Sequence, residues 1–341
     1  MDAIASRIRE IVAEPIQVQG RRFTLSSKVG MAVTTDDVQD ALTLLRNADT
    51  ALYLADQDPG RDIRMFSAEM QASLVERFSL TEQLSDAIDN DELFLCYQPI
   101  VDLATERVIG AEALVRWLHP ERGVLGPASF IPHAEHSGLI NRLGRWVMNE
   151  ACHQLSKWEA TSDLGDFVLS FNMSGIQVRD PAIAEQVGQA ISESGVDPSR
   201  LVVEITESVL VDESRTTAER LTSIRSLGVA LAIDDFGTGY SSLSYLNRFQ
   251  FDVVKIDRTF VAGLAGQDER GREVMDAIVG LARGLDAYTV AEGIETPEVA
   301  EALVKLGCDR GQGFLFAKPM PAAEFTAVLG RRSSELAGSH T

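Results

Sequence analysis

Residues 229–239 read Val-Ala-Leu-Ala-Ile-Asp-Asp-Phe-Gly-Thr-Gly, an apolar run that ends in two adjacent acids and a glycine-rich turn. A short continuous apolar run of this kind is typical of a strand that is buried on both faces of a parallel sheet. Seven further runs recur on either side of it, separated by segments with the spacing of amphipathic helices: 93–101, 108–115, 167–173, 201–205, 253–256, 288–290 and 314–316. Eight strands that alternate with helices over about 240 residues predict a (β/α)8 barrel. The rival fold, a doubly wound open sheet, is disfavoured because no glycine-rich phosphate fingerprint follows an early strand.

The chain before the barrel has a different pattern. Residues 1–66 combine two predicted helices with β-rich runs at 16–18, 23–33 and 63–66, of which the first two predict a hairpin around 19–22. An α+β unit of this size has a thin core, so we interpret it as part of a larger domain. We predict a connecting helix at 67–82, the barrel at 83–330 and a flexible tail at 331–341.

Composition excludes several classes of function. The 341 residues include 51 Asp and Glu against 31 Lys and Arg, a net charge of -20. This charge argues against binding a nucleic-acid polymer or an anionic membrane through a broad basic surface. No stretch approaches 18 consecutive apolar residues, the first residues lack a signal peptide, and the three cysteines are too scattered for a disulfide framework. We therefore expect a cytoplasmic protein without a membrane segment.

Polar residues recur about once in each predicted βα unit, at the ends of the apolar strands, where a barrel of this type has one shared mouth. They are Glu112, Asn172, Glu204, Asp234, Asp235, Lys255, Glu292 and Gln312, and from Asn172 onward one residue per unit follows at steps of 32, 30, 21, 37 and 20 residues. Taken singly, each acid is equally consistent with a helix cap or a local ion pair. Several carboxylates together need protons or cations to compensate their charge, and oxygen ligands favour Mg²⁺ or Mn²⁺ over zinc.

The adjacent acids Asp234 and Asp235 suit the bridging of two ions, the geometry used to displace phosphate esters. Lys255, the one cation among these strand-end residues, would hold an attacking water or offset phosphate charge. From the residues alone, a Mg²⁺-dependent lyase or aldolase acting on a carboxylate substrate stays an alternative.

The motifs, taken in order, resemble those of the EAL domain, the bacterial cyclic di-GMP phosphodiesterase, over residues 83–330. The resemblance is carried by Tyr97-Gln98-Pro99-Ile100, Glu112-Ala113-Leu114-Val115-Arg116-Trp117, Asn172-Met173-Ser174, Glu204-Ile205-Thr206-Glu207, residues 234–243, Lys255-Ile256-Asp257, Ala291-Glu292-Gly293-Ile294-Glu295 and Gln312-Gly313-Phe314. It implies a modified TIM barrel in which one strand, the run at 93–101, is antiparallel. It also implies hydrolysis of cyclic di-GMP to linear pGpG with two Mg²⁺ or Mn²⁺ ions.

The resemblance implies a role for each matching residue. One ion would be held by Glu112, Asn172, Glu204 and Asp234, and the other by Asp234, Asp235 and Glu292. In catalysis, Lys255 would orient the attacking water, Glu292 would assist as base, and Gln312 would help to hold water or metal. Asp235 would also be a catalytic residue. The substrate would contact Gln98 and Leu114, and its phosphate would pair with Arg116.

Further from the reaction, Glu207 and Glu295 would support the ligands, with Glu207 anchoring the loop at 235–242. The resemblance links that loop to dimerisation and control of activity, and it implies a homodimer through the barrel. No ligand position of the family is missing, which favours an active enzyme over the alternative, a catalytically silent receptor for cyclic di-GMP.

Residues 1–66 resemble the C-terminal half of a GGDEF (diguanylate cyclase) domain, through the stretches at 24–32 and 44–53. The half that carries the Gly-Gly-Asp-Glu-Phe hairpin is absent, and Asp56 stands where that family usually has lysine. We therefore expect no cyclase activity, and we interpret the chain as a fragment of a longer tandem protein.

Overall fold

The structure is a computed structural model that describes residues 2–18, 21–34, 40–56, 60, 62–211, 215–237, 249–265 and 269–338. The chain divides into two compact units, Met1–Gln83 and Leu84–Thr341. Within the described ranges, every helix is too short or too polar to cross a lipid bilayer.

The first unit is a small α+β structure. Its elements are α1 (Asp2–Val12), β1 (Ile16–Val18), β2 (Arg21–Phe23), β3 (Val29–Met31), α2 (Ala41–Asp56) and β4 (Ile63–Met65). Strands β1 and β2 form an antiparallel hairpin, as predicted, but its second strand begins at Arg21, within the turn predicted at 19–22. Strand β3 pairs with β4 in parallel. The continuous strand predicted at 23–33 is wrong, because the chain leaves the hairpin after Phe23 and begins a second sheet at Val29.

Glycine is required where α2 crosses β3. A Cβ added to Gly30 would lie 2.2 Å from the Ala48 oxygen and 2.2 Å from the Leu52 nitrogen, both of them backbone atoms.

Large apolar side chains stay exposed on this first unit, including Leu42 at 80% and Ile4 at 67%. Its interpretation as part of a larger domain stays a prediction. Helix α3 (Ala68–Asp89) starts where the connecting helix was predicted and continues seven residues further than residue 82.

In the second unit, the described strands close into a barrel of eight. In chain order they are β5 (Leu93–Asp102), β6 (Val108–His119), β8 (Val168–Asn172), β9 (Leu201–Thr206), β10 (Ala230–Phe236), β11 (Val253–Ile256), β12 (Tyr288–Ala291) and β13 (Arg310–Gly311). Strand β5 is antiparallel to both of its barrel neighbours, β6 and β13, and the other neighbours are parallel. Two short strands add to this barrel, β7 (Gly123–Leu125) on β6 and β14 (Met320–Pro321) on β5. The predicted modified TIM barrel, with its antiparallel strand at 93–101, is confirmed.

The helices of the second unit follow the strands in the expected alternation. They are α4 (Ile131–Ser137), α5 (Ile140–Thr161), α6 (Gly175–Val178), α7 (Ile183–Ser194), α8 (Arg215–Arg225), α9 (Arg258–Ala262), α10 (Glu269–Gly284), α11 (Pro297–Leu306) and α12 (Ala322–Gly338), with 3₁₀ turns at Pro127–Ser129, Pro198–Arg200, Glu207–Val211 and Gly263–Ala265. Helix α11 shows how the sequence sets the two ends of a helix. Thr296 caps its first turn, and Gly307 ends it with a positive φ of 79°. Helix α12 continues to Gly338, into the segment predicted as a tail, and residues 339–341 lie outside the described residues.

The eighth strand was predicted in the wrong place. Residues 314–316 form a turn, in which the amide of Phe316 donates to the carbonyl of Gly313, whereas the last barrel strand is the polar pair Arg310–Gly311. Gln312 therefore follows the last strand instead of preceding it. A two-residue polar strand has no apolar run to reveal it, and Phe314, which carried the prediction, is 58% exposed.

An apolar layer lies beneath the mouth of the barrel. Five strands contribute one buried residue each to a single cluster: Ile100, Val202, Ala232, Val253 and Val290. Because side chains two residues apart share a face of a strand, the next residue on the same face is polar in every case. These polar residues are Gln98, which precedes Ile100 on the antiparallel strand, and Glu204, Asp234, Lys255 and Glu292. Strand periodicity thus stacks one polar layer on the apolar one.

Candidate active site

Lys255 lies at the centre of the polar layer. Its side chain is 2% exposed, and its ammonium group contacts the carboxylates of four different strand ends. The distances from Nζ are 2.6 Å to Glu204 Oε2, 2.6 Å to Glu292 Oε1, 3.2 Å to Asp234 Oδ1 and 3.3 Å to Glu112 Oε2. Burial alone would lower the pKa of Lys255, but the four carboxylates hold it well above its usual value. The lysine is therefore a charged ammonium within a ring of acids.

One ammonium group does not compensate four carboxylates. Burial, together with the charge of Glu112, raises the pKa of Glu204 well above its ordinary value. Burial also raises the pKa of Glu292 to about 7, against the opposing effect of Lys255. For Glu112, burial is outweighed by Lys255 and by hydrogen bonds from Gln312 and Asn172, so that its pKa is lowered. The site holds an excess of negative charge, which further cations or protons must offset.

Three carboxylates of this site form a candidate metal-binding group. Oxygen atoms of Asp234, Asp235 and Glu292 all lie within 4.8 Å of one another. The backbone places Asp235 here by an irregularity, since β10 shifts register against β11 between Ile233 and Phe236. Asp235 itself has a φ of 54°, in the left-handed region, and its amide donates to Asp234 Oδ1 at 3.0 Å. Strained backbone of this kind is common at functional sites.

The donor set fits a hard divalent cation. All three groups are carboxylates, and the adjoining oxygens of Glu112 and Glu204 belong to the same ring. Asn172 is exposed at the end of β8 and donates from Nδ2 to Glu112 Oε1 at 2.7 Å. Oxygen-only ligands of this number suit Mg²⁺ or Mn²⁺. The residues predicted to hold two ions are thus brought together.

A second pair of polar residues closes the ring between β5 and β13. Gln312 donates from Nε2 to Glu112 Oε2 at 2.8 Å and to Gln98 Oε1 at 2.9 Å. Gln98 in turn donates from Nε2 to the carbonyl oxygen of Ala317 at 3.1 Å. Gln312 Oε1 is buried and has no hydrogen-bond partner in the part of the chain that the structure describes. An amide oxygen without a partner at this depth is costly unless it binds a cation, a water or a ligand.

A cavity of about 550 Å³ opens beside the ring. Leu114 and Asn172 line it together with residues of α4, α5 and α6 and with Arg179, which directly follows α6. Our sequence reasoning missed Arg179 and Glu135 of α4. In the sequence, the only signal for this side of the cavity was the capping box of α6, in which Ser174 accepts from the amide of Gln177.

Arg116 is half-buried near the end of β6, where its Nη1 donates to the carbonyl of Val115 at 2.8 Å. The predicted contact of Arg116 with a phosphate stays a prediction.

The two outer glutamates differ in their surroundings. Glu207 is 5% exposed and accepts the amide of Gly237 at 2.9 Å through Oε2, which ties the end of β10 to the 3₁₀ turn after β9. This contact supports the predicted anchoring role. The loop predicted to govern dimerisation and activity lies, beyond Gly237, outside the described residues. Glu295 is exposed in the segment after β12, and its supporting role stays a prediction.

Comparison with known proteins identifies close relatives over most of the chain. The sequence profile of the EAL domain matches residues 81–319. The bifunctional diguanylate cyclase/cyclic di-GMP phosphodiesterase MucR of Pseudomonas aeruginosa is 37% identical over 327 residues, which are 96% of this chain and 47% of that protein. The cyclic di-GMP phosphodiesterase PdeR of Escherichia coli is 37% identical over 326 residues, 95% of this chain and 49% of that protein. This chain spans about half the length of such relatives, or less.

Solved structures agree with the fold. The PaMucR phosphodiesterase in complex with c-di-GMP is 40% identical and has a TM-score of 0.69, covering 72% of this chain and 99% of that one. The EAL domain of Mycobacterium smegmatis DcpA is 36% identical with a TM-score of 0.61, covering 72% of this chain and 98% of that one. The EAL profile begins at residue 81, so the GGDEF resemblance of residues 1–66 stays a prediction. The matched barrel and the strand-end motifs together place this chain in the EAL-domain family.

Proposed function

We propose that this chain hydrolyses cyclic di-GMP to linear pGpG by metal-assisted attack of water, and so lowers the concentration of this second messenger. The observation that carries the proposal is the buried Lys255 in contact with four strand-end carboxylates, beside a three-carboxylate group at the mouth of an EAL barrel. Two relatives that are 37% identical are named cyclic di-GMP phosphodiesterases, and the structure of PaMucR holds c-di-GMP. These similarities support the same substrate here.

The ring of acids would hold two divalent cations. Glu112, Asn172, Glu204 and Asp234 would hold one, and Asp234, Asp235 and Glu292 would hold the other. Bound there, Mg²⁺ or Mn²⁺ would lower the pKa of a water molecule and neutralise phosphate charge. Asp234 would belong to both sets of ligands.

The chain's own residues would then direct the displacement. Lys255 would orient the attacking oxygen with its ammonium group, and Glu292 would accept the proton at a carboxylate oxygen. The oxygen of water forms a bond to phosphorus, the bond from phosphorus to one ribose 3′ oxygen breaks, and that oxygen takes up a proton. The product keeps a 5′ phosphate, which is the phosphate of pGpG.

The other predicted residues would bind the substrate. Arg116 would pair with the second phosphate through its guanidinium group, which matches the geometry of phosphate oxygens. Leu114 lines the cavity of about 550 Å³ beside the ring, where it would contact the nucleotide. We also propose a cytoplasmic homodimer that forms through the barrel, an expectation that rests on the family resemblance.

The test is an incubation of purified protein with cyclic di-GMP and Mg²⁺, followed by chromatographic identification of the product. We expect pGpG from the wild type and from Glu301→Gln, a matched control because Glu301 is 73% exposed on α11. We expect Glu112→Gln to lose at least about 10³-fold in kcat, since it removes a charged ligand of the ring. Tight binding of cyclic di-GMP by the Mg²⁺-loaded protein without turnover would replace this proposal with the silent receptor.

A further inference from the structure

We propose that Gln98 is a positioning residue that fixes the side-chain amide of Gln312, so that Gln312 directs its nitrogen to Gln98 and Glu112 and keeps its oxygen as an acceptor for a bound cation or its water. This inference rests on the proposed function and gives Gln98 a role different from the substrate contact expected of it. Both side chains are buried, Gln98 at 7% exposure and Gln312 at 5%.

The orientation begins at a backbone carbonyl. The oxygen of Ala317 can only accept a hydrogen bond, so the group of Gln98 that lies 3.1 Å away must be its NH₂. A flipped Gln98 amide would place its oxygen against the oxygen of Ala317. Because the NH₂ group is thereby assigned, the group of Gln98 that faces Gln312 is its oxygen.

The oxygen of Gln98 in turn decides the orientation of Gln312. The nearest group of Gln312, 2.9 Å away, must be a donor, and the same nitrogen lies 2.8 Å from the Glu112 carboxylate, which is an acceptor. Both hydrogens of the Gln312 NH₂ group are therefore committed. Gln312 Oε1 is the remaining atom, buried and without a hydrogen-bond partner among the described residues. It offers an acceptor oxygen beside Glu112, a predicted ligand of the first ion.

The main chain of Gln312 is fixed independently of its side chain. Its amide donates to Ala291 at 2.8 Å, and its carbonyl accepts the amide of Ile294 at 3.1 Å. The side-chain amide of Gln312 could still rotate, and its hydrogen bonds to Gln98 and Glu112 prevent this rotation. Outer groups that orient metal ligands typically contribute about 10–100-fold to metal affinity.

The experiment measures Mn²⁺ affinity by titration calorimetry of the full chain without nucleotide, in four proteins: wild type, Gln98→Met, Gln312→Met and the double variant. We expect Gln98→Met to weaken Mn²⁺ binding about tenfold, and the double variant to bind no more weakly than Gln312→Met. A fifth protein, Gln98→Glu, is the matched control, because it keeps the volume of the side chain and both of its carboxylate oxygens can accept from Gln312. The amide of Gln312 should therefore stay oriented, and Mn²⁺ affinity should be at least that of the wild type.

The contrary results are specific. Wild-type Mn²⁺ affinity in Gln98→Met, with weaker binding of cyclic di-GMP, would show that Gln98 contacts the substrate and would overturn the proposal. Additive losses in the double variant would overturn it as well. Because no nucleotide is present in the titration, a failure of the proposed hydrolysis would leave this result unaffected and would be recognised separately by the absence of pGpG.

Discussion

Replacing Lys255 by methionine removes the ammonium group that contacts the four carboxylates, at nearly the same side-chain length. At an effective dielectric constant of about 20, an ammonium and a carboxylate 2.6 Å apart attract each other by roughly 6 kcal/mol, and Lys255 has two partners at that distance. Desolvation offsets much of this attraction. Removing one partner of a buried ion pair costs about 3–5 kcal/mol, which is the loss in free energy of unfolding that we expect for metal-free Lys255→Met.

The assay is urea unfolding with and without Mg²⁺. With a denaturant slope of about 2–3 kcal/mol per molar, the expected loss moves the midpoint down by roughly 1–2 M urea. The control is Lys305→Met, because Lys305 is 78% exposed and its one ion pair, to Glu301 at 3.7 Å, should contribute less than about 1 kcal/mol. Since a divalent cation compensates the same carboxylates, saturating Mg²⁺ should stabilise Lys255→Met more than it stabilises the wild type.

Two results would refute this reasoning. One is an unchanged midpoint for metal-free Lys255→Met, which would mean that the carboxylates discharge themselves by taking up protons at little cost. The other is an equal effect of Mg²⁺ on both proteins, which would mean that the cation does not bind within the ring around Lys255.

Further predictions concern the backbone and the titration of the site. Gly313→Ala should destabilise the fold by at least about 2 kcal/mol and lower kcat, because its Cβ would lie 2.1 Å from the Ile294 oxygen. The control is Gly330→Ala, which has open space around it and should be neutral or slightly stabilising. Asp235→Gly should abolish turnover yet raise the unfolding midpoint, since it relieves about 1–3 kcal/mol of left-handed strain, and a lowered midpoint would disprove the strain. The pKa of Glu292 is raised from 4.5 to about 7, so the folded metal-free protein takes up a proton there that the unfolded chain does not. Its stability should therefore fall as pH rises from about 4.5 to 7, and Glu292→Gln should flatten that fall when thermal unfolding is followed in EDTA.

The sequence predicted the parts of the barrel that depend on periodicity. Strands buried on both faces require apolar runs, and polar residues at one end of such runs stand out against them. For this reason the sequence alone was enough to assign Glu204, Asp234 and Lys255 to one site. The first and last turns of α11 could also be predicted from the sequence, because Thr296 and Gly307 each act within one turn of the helix.

Features that depend on tertiary contacts were not predictable. The strand Arg310–Gly311 is held by its neighbours β5 and β12 and has no apolar pattern of its own. The hydrogen bond from Gln98 to Ala317 joins residues 219 positions apart, so no local signal could reveal it. The positive φ of Asp235 accompanies a register shift between β10 and β11. A glycine at this position would have indicated a left-handed backbone, but the sequence has aspartate there.

The central claim is that water attacks a phosphodiester of cyclic di-GMP at the ring of acids around Lys255. The most direct test is a reaction of the Mg²⁺-loaded protein with cyclic di-GMP in ¹⁸O-labelled water, analysed by mass spectrometry. We predict linear pGpG that carries one ¹⁸O atom, on its 5′ phosphate, and no such product from Glu112→Gln. Recovery of intact, unlabelled cyclic di-GMP from protein that binds both the nucleotide and Mg²⁺ would contradict the claim.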